Sequence, residues 1–313
     1  VSTMRFEHKR AALGKIEVTY GTDPTPTGAA NYLEVYDLSM PGTEYGKSPR
    51  MPVRPFGGSI ATVLASTPFK RGFGFKLAGA GAAGTAPAWG PILRACGMSE
   101  TISAGVDVTY APVSTGFEAM TFWDNLDGVN YKGNGCRGNA QIEFAHNDLP
   151  GVKADLTGIY AAPADAALPT VTTTAWKDPV PFNKTNSTPF TFHGVAAVCS
   201  KLSLDMGRKI SWKDYPGADS TVTLTPSDVT GSITLQAELQ AVKNWESVAE
   251  ARTLAALTLT NGLTGGNKIK LDASNVQILD VKYEASDGIV MVTLPLLFVQ
   301  VDASTPAFTL KAL

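Results

Sequence analysis

The 313-residue chain carries 44% hydrophobic and 17% charged residues, with 26 Lys and Arg against 28 Asp and Glu and a formal net charge of −2. A chain of this size and apolar content buries a sizeable core, which excludes intrinsic disorder and suggests two domains or one large β domain. The missing positive excess excludes an ordinary nucleic-acid binder, which needs cations to displace the counterions of phosphate. So low a charge also predicts an exterior that largely meets other protein.

Taken in chain order, Val1 to Arg10 is polar and charged and lacks the apolar core of a signal peptide, which predicts a protein made and kept in a cytoplasm. Two Pro/Gly-rich loops follow, Gly21 to Asn31 and Pro41 to Ser59. The second joins two strand-like segments, Tyr32 to Leu38 and Ile60 to Phe75. It carries Tyr45, Arg50, Arg54 and Phe56, residue types enriched at protein interfaces. Loops this long in a compact domain are usually functional, the alternative being a solvated connection. Phe69 to Leu77 alternates, with Phe73, Phe75 and Leu77 on one face and Arg71 interrupting it, the mark of a half-buried strand.

Thr85 to Gly97 reads as a helix. Trp89, Ile92, Leu93 and Cys96 form one apolar stripe, with Thr85 as the expected cap and Gly97 as the stop. From Ala161 to Pro189 the apolar pattern lapses into Pro, Thr, Ala and Asn, which marks a linker. Beyond it, Met206 to Ser220 again sets aromatic beside basic residues: Arg208, Lys209, Trp212, Lys213 and Tyr215. Gly231 to Leu239 and Val276 to Glu284 alternate as half-buried strands. The first places Ile233, Leu235, Ala237 and Leu239 on its apolar face; the second places Leu279, Val281 and Tyr283 there. A second helix is expected from Asn244 to about Leu254, with Asn244 as N-cap and Trp245, Val248 and Ala249 as its stripe. Ile289 to Val301 is the most apolar run, but it is too short to span a bilayer and contains Pro295, so it reads as a buried strand.

Trp89 and Trp245 lie about half a chain length apart, each in a helix between strands. This predicts a duplicated unit: a β domain at 1–163, a linker at 164–190, and a second β domain with one helix at 191–313. Two unrelated β-plus-helix domains are the alternative.

The residues offer little for catalysis. His8, His146 and His193 have no partners at metal-ligand spacing, and Cys96, Cys136 and Cys199 form no CxxC pair. Cys199 and His193 are near in sequence, but the apolar setting of Cys199 points to an inert, buried thiol. Gly79, Gly81 and Gly84 fit G-x-G-x-x-G, yet the loop has no lysine and no βαβ unit follows, so it reads as a tight strand-to-helix turn. The carboxylates are dispersed, without a calcium-loop pattern. The aromatic residues Phe117, Phe122, Trp123 and Tyr131 fall among acidic rather than basic neighbours, unlike a stacking surface for nucleic acid. Residue chemistry alone gives a non-enzymatic β protein whose business is surface contact. A non-catalytic β-sandwich module for adhesion or carbohydrate binding is the competing reading.

Three collinear segments go further: KIEVTYGTDPTPTGAAN at Lys15 to Asn31, GAGAAGTAPAWGPILRACGMSETISAGVDVTYAPVS at Gly79 to Ser114, and NGCRGNAQIEF at Asn134 to Phe144. Together they resemble the major tail tube proteins of long-tailed bacteriophages, over about the first 160 residues; the second half matches in element order only. The resemblance implies a mainly β fold of tail-tube type, a sandwich or barrel-like pair of sheets with a flanking helix, in two tandem copies. It implies a structural virion protein with no catalytic residue, cofactor or metal. Such a protein assembles in the host cytoplasm into stacked rings forming the DNA conduit. Trimeric rings of pseudo-sixfold symmetry are expected ahead of hexamers. The implied partners are further copies of the chain, other tail proteins at the tube ends, and viral DNA passing without specific binding; no membrane is implied. Tyr45, Arg50, Arg54 and Phe56 in the first long loop, with Trp212 and Tyr215 in its counterpart, are the expected assembly contacts.

Overall fold

The computed structural model describes residues 4–188, 190–302 and 304–313; Val1 to Thr3 of the N-terminal segment and Pro189 at the end of the expected linker lie outside them. The first half comprises β1 (Arg10–Ile16), β2 (Tyr32–Leu33), β3 (Lys47–Ser48), β4 (Val63–Leu64), β5 (Pro68–Lys76), α1 (Gly90–Ala95), β6 (Met98–Ser103), β7 (Asp107–Pro112), β8 (Met120–Leu126), β9 (Val129–Ala145) and β10 (Gly151–Asp165). The second comprises β11 (Phe190–Phe192), β12 (Cys199–Asp205), β13 (Lys209–Lys213), β14 (Thr221–Thr225), β15 (Val229–Gln236), α2 (Trp245–Glu250), β16 (Ala255–Asn261), β17 (Ile269–Ile278), β18 (Lys282–Ser286), β19 (Ile289–Phe298) and β20 (Thr309–Ala312). The fold is mainly β, and every named strand pair is antiparallel.

A period-two pattern sets the main layer. β5, β10, β9, β12, β15, β19 and β18 are hydrogen-bonded side by side in that order. On one face Phe73, Phe75, Val152, Ala154, Ile142, Phe144, Leu202, Leu204, Ile233, Leu235, Val292 and Leu294 are buried in a single core. The other face carries Lys153, Asp155, Gln141, Glu143, Lys201, Ser203, Asp205, Ser232 and Thr234, polar residues at the alternate positions. One-residue slips would exchange the two faces, so the register is strongly specified. β1 and β8, and β16 and β17, form further ladders whose buried side chains complete the same core; Phe122 of β8 stacks on Phe73 of β5 at 5.3 Å.

The pairing order recurs along the chain. In the first half it runs β1–β8–β9–β10–β5, and β5 then meets Tyr36 through an isolated bridge to Gly74. In the second it runs β11–β16–β17, then β19, β15 and β12. A small two-stranded hairpin leaves each series at the same point. β3–β4 lies between Tyr36 and β5, and β13–β14 lies between β12 and β15. Each helix sits between equivalent strands, after β5 and after β15. The halves are stitched by β9 on β12 and by β20 on β7. The 166–188 stretch has no strand or helix but is hydrogen-bonded to both halves: Thr172 N donates to Gly28 O, Trp176 Nε1 to Tyr32 O, and Asn261 Nδ2 to Val180 O.

Several expectations change in detail. Both helices are only six residues long. Pro91 stands in the first turn of α1, and the N-cap is Trp89 rather than Thr85, since Pro87 and Pro91 withhold the N–H groups of a longer helix. α1 stops at Gly97, whose φ of 82° is left-handed, as expected. α2 is capped by Asn244, whose side chain accepts from Ser247 N, and ends before Arg252, whose φ of 52° breaks the helical run. β15 ends at Gln236, so Leu239 is exposed rather than on the core face. The segment Val276 to Glu284 is not one half-buried strand. β17 and β18 run in succession along β19 but slip between Ile278 and Lys282, beside Pro295, which has no N–H for the ladder. Leu279 and Tyr283 are consequently exposed, and all of β18 is exposed.

Arg71 does occupy the inner face of β5, but it is paired rather than disruptive. Its Nε donates to Asp124 Oδ2 at 3.0 Å, and Arg10 makes a two-pronged contact with the same carboxylate at 2.7 Å for each bond. Arg10 also donates to the carbonyls of Leu38 and Ser39, so this buried group ties β1, β5, β8 and the Tyr36 segment together.

Candidate functional site

Two projecting hairpins hold the residues singled out in sequence. The 41–67 excursion is pinned at its base by β3–β4, with Gly46 N donating to Ser66 O and Ala65 N to Gly46 O. Nearly everything from Pro49 to Val63 is exposed. Tyr45, Arg50 and Phe56 stand free of the core, and Arg54 lies over the Phe56 ring at 5.6 Å. Met51 and Val53 were missed by composition, yet they are 88% and 103% exposed, against 66% for Phe56. Apolar residues without strand or helix period inside a Pro-rich loop are the signal that marks them. Burying three such side chains is favourable by about 1.5–3 kcal/mol each, an apolar area that the single chain leaves uncovered.

The second hairpin is rooted more deeply. Val222 and Leu224 of β14 are buried, Val222 N donates to Tyr20 OH, and Arg137 Nη1 donates to Val222 O. Arg208 faces its own chain, donating to Gly97 O and Val113 O, and burial pulls its pKa down. Trp212 is half-buried on β13, and its Nε1 has no partner among the described residues. Tyr215 at the turn is exposed. The structure thus places Trp212 and Tyr215 on one hairpin and Tyr45, Arg50, Arg54 and Phe56 on the other.

Two of the segments carrying the family resemblance, those of Glu17 and Gly135, meet in the first half. The Glu17 carboxylate accepts from Gly21 N, Thr121 Oγ1 and Gly135 N, at 2.6 to 2.7 Å, and Arg137 lies over the Tyr20 ring at 4.7 Å. Gly79 to Thr85 packs against the turn after β16: Gly81 N donates to Gly266 O, and Gly79 N to Asn267 Oδ1. A side chain at Gly79 would collide with the Gly266 carbonyl, so this glycine serves close backbone packing.

His193 Nε2 is 2.9 Å from Val276 O in the core, where burial pulls the imidazole pKa down. Cys199 instead lines an apolar cleft of about 650 Å³ with Phe182, Phe190, Ala197 and Val198. Cys96 and Cys136 are fully buried, and all three cysteines are free. Burial pushes the Cys96 and Cys199 thiols up to about 12, and raises Cys136 as well. Since the thiolate is the reactive form, native protein at neutral pH is expected to react slowly with a maleimide. Three thiols should be released together by denaturant, and rapid labelling of any of them in the native state would contradict this.

Among the described residues no group of three or more His, Cys, Asp or Glu is arranged to hold a metal ion, and no helix is long and apolar enough to cross a membrane. Among the described residues the molecule presents a continuous polar sheet face, open edges at β18 and at the Tyr36 segment, and two projecting hairpins. A search of curated proteins found no match. Residues 8–298 match the model of a family described as phage tail tube protein. That span covers both halves, including the repeated strand order and both hairpins; the chain belongs to the phage tail tube protein family, and its role in the virion tail is structural.

Proposed function

We propose that the chain is the major subunit of the tube, that it has no enzymatic activity, and that its copies close into rings which stack to form the DNA conduit. Assembly takes place in the host cytoplasm, and other tail proteins cap the ends. The two halves act as tandem tail-tube domains joined through 164–190, so three chains supply six domain positions. A trimeric ring of pseudo-sixfold symmetry follows in preference to a hexamer. The observation that carries this reading is the layer crossing both halves, from the Tyr36 segment bridged to β5 through to β18: it is polar on one face, buried on the other from β5 to β19, and among the described residues no strand pairs on the outer side of β18 or of the Tyr36 segment. Heterologous contacts between identical open-ended units close into rings when the rotation permits, and closure removes the edges that otherwise aggregate.

The polar face suits a lumen through which DNA slides. Its cations are largely compensated within the chain: Lys201 pairs with Glu143 at 2.7 Å and Lys70 with Glu44 at 2.7 Å, while Lys76 lies 3.6 Å from Asp148. Hydroxyl and amide groups fill the centre. A surface with few unpaired cations releases few counterions and so holds DNA weakly. Negative-stain microscopy of concentrated protein, with native mass spectrometry of any rings, tests the proposal: stacked rings of three copies are expected, and a strictly monomeric protein would overturn it.

The exposed tip of the first hairpin is assigned to contact between rings. Ser48 and Val63 are paired partners, so a short Gly-containing turn can replace 49–62 without disturbing β3 and β4. The shortened chain is expected to fold with a stability change within about 0.5 kcal/mol, as for surface changes, yet to stop at rings or short stacks. Tubes of normal length would remove the hairpin from the stacking contact.

A further inference from the structure

The repeated strand order makes the internal junction β9–β12 a guide to a contact that the single chain cannot make. In the polar-faced layer, β12 occupies the place that the Tyr36 segment occupies in the first half, each lying beside the equivalent strand, β15 or β5. The C-terminal part of β9 occupies the place of β18, each the hairpin partner of an equivalent strand, β10 or β19. Within the chain, β9 and β12 are joined: Phe144 stands opposite Leu202, and Ala145 opposite Lys201. Their equivalents, β18 and the Tyr36 segment, lie at the two ends of the layer, and among the described residues neither pairs with a strand on its outer side.

From this we infer that β18 of one copy pairs antiparallel with the Val35 to Asp37 edge of a second copy, in the register that β9 and β12 use inside the chain. The inference rests on the ring reading above and gives it an atomic contact. Superposing the pairings places Phe144 on Ala285 and Leu202 on Asp37, so Ala285 of one copy stands opposite Asp37 of the next, where Asp37, left-handed at φ 50°, ends the extended run of the receiving edge.

Three observations support this junction. First, Tyr36 exchanges both backbone bonds with Gly74, so the N–H groups of Val35 and Asp37 point away from β5; neither donates a bond among the described residues. Second, side chains that are core in the first half are bare at the matching edge of the second. Ile142 and Phe144 are buried beneath their neighbours, whereas Tyr283 is 49% exposed and Val290, on the same face of the hairpin, 54%. A covering copy restores their burial. Third, the receiving edge is held in place, because Arg10 from the buried Asp124 group grips the Leu38 and Ser39 carbonyls. An edge made rigid in this way loses little conformational freedom when a strand adds to it.

Two cysteine substitutions test the register. In an antiparallel ladder facing residues lie about 4.5–5.5 Å apart at Cα, within disulfide reach. The double variant Asp37→Cys/Ala285→Cys, assembled and mildly oxidised, is expected to give a ladder of covalent multimers on non-reducing gels. A mixture of the two single variants should give dimers only. A second variant reads the backbone. The Ala285 N–H points outward from β19, so Ala285→Pro should leave the isolated chain with its circular dichroism intact while cutting ring formation at least tenfold at matched concentration. Tubes of wild-type appearance from Ala285→Pro, or assembled double variant without cross-links, would overturn the junction while leaving the tube reading in place. Failure of the unmodified chain to form rings would overturn both.

Discussion

Replacing Asp124 by alanine is expected to cost about 3–5 kcal/mol of folding stability, because removing one partner of a buried ion group leaves uncompensated charge. Asp124 has no exposed surface and is shared by Arg10 and Arg71. Arg71 is itself nearly inaccessible, lying over the Phe69 ring at 4.6 Å, and burial already pulls its pKa down against the opposing pull of Asp124. With the carboxylate gone, Arg71 keeps, among the described residues, only its bond to the Lys70 carbonyl, and Arg10 loses the anchor that holds it against the Leu38 and Ser39 carbonyls. Total stabilities of about 5–15 kcal/mol make such a loss close to unfolding. Urea titration of the unassembled chain should show a lower midpoint at unchanged slope. A triple change, Arg10→Met/Arg71→Met/Asp124→Leu, should recover most of the stability, since well-packed apolar replacements of buried ion groups are often neutral or better. It should not recover assembly, because the Tyr36 segment is then no longer gripped. A midpoint for Asp124→Ala within experimental scatter of wild type would mean that water reaches the group.

Trp89→Ala is expected to cost about 3–5 kcal/mol, the usual range for truncating a buried aromatic residue. Trp89 lies on Phe75 and Tyr110, with ring centroids 6.4 and 4.9 Å away, and its Nε1 donates to Ala78 O at 2.8 Å. Trp245→Ala should cost a similar amount, since that ring is buried against Phe192 at 5.4 Å. The conservative changes separate the two sites. Trp89→Phe removes a hydrogen bond and leaves a buried carbonyl without its partner, a loss of about 1–3 kcal/mol. Trp245 Nε1 has no partner among the described residues, so Trp245→Phe loses only volume. Equal midpoints for the two phenylalanine variants would show that the Ala78 bond contributes nothing.

The local pattern carried much of the fold in advance. Alternation marked the inner faces of β5 and β15, the Asn244 cap marked the start of α2, and Gly97 marked the end of α1, because each depends on neighbours in sequence. Arg71 read as a break in β5 because its partners, Asp124 on β8 and Arg10 on β1, are distant along the chain. β18 read as half-buried because period two reports which side chains share a face, not whether anything covers that face. The hairpin residues Tyr45, Arg50, Arg54, Phe56, Trp212 and Tyr215 stood out by composition. Met51 and Val53 did not, since composition does not weigh an apolar residue by the Pro-rich loop in which it stands.

The mainly β class, the places of the two helices at Trp89 and Trp245, and the family to which the chain belongs were legible from the residues alone. Those follow from side-chain period, capping chemistry and collinear motifs, all short-range or additive along the chain. Which strands are neighbours was not legible there: β9 joins β12 inside the chain, while β18 and the Tyr36 segment are left as open edges. Pairing between strands is set by competition among distant backbone groups for the same hydrogen bonds, and by which apolar faces can be covered together. Neither quantity is written in any one stretch of residues.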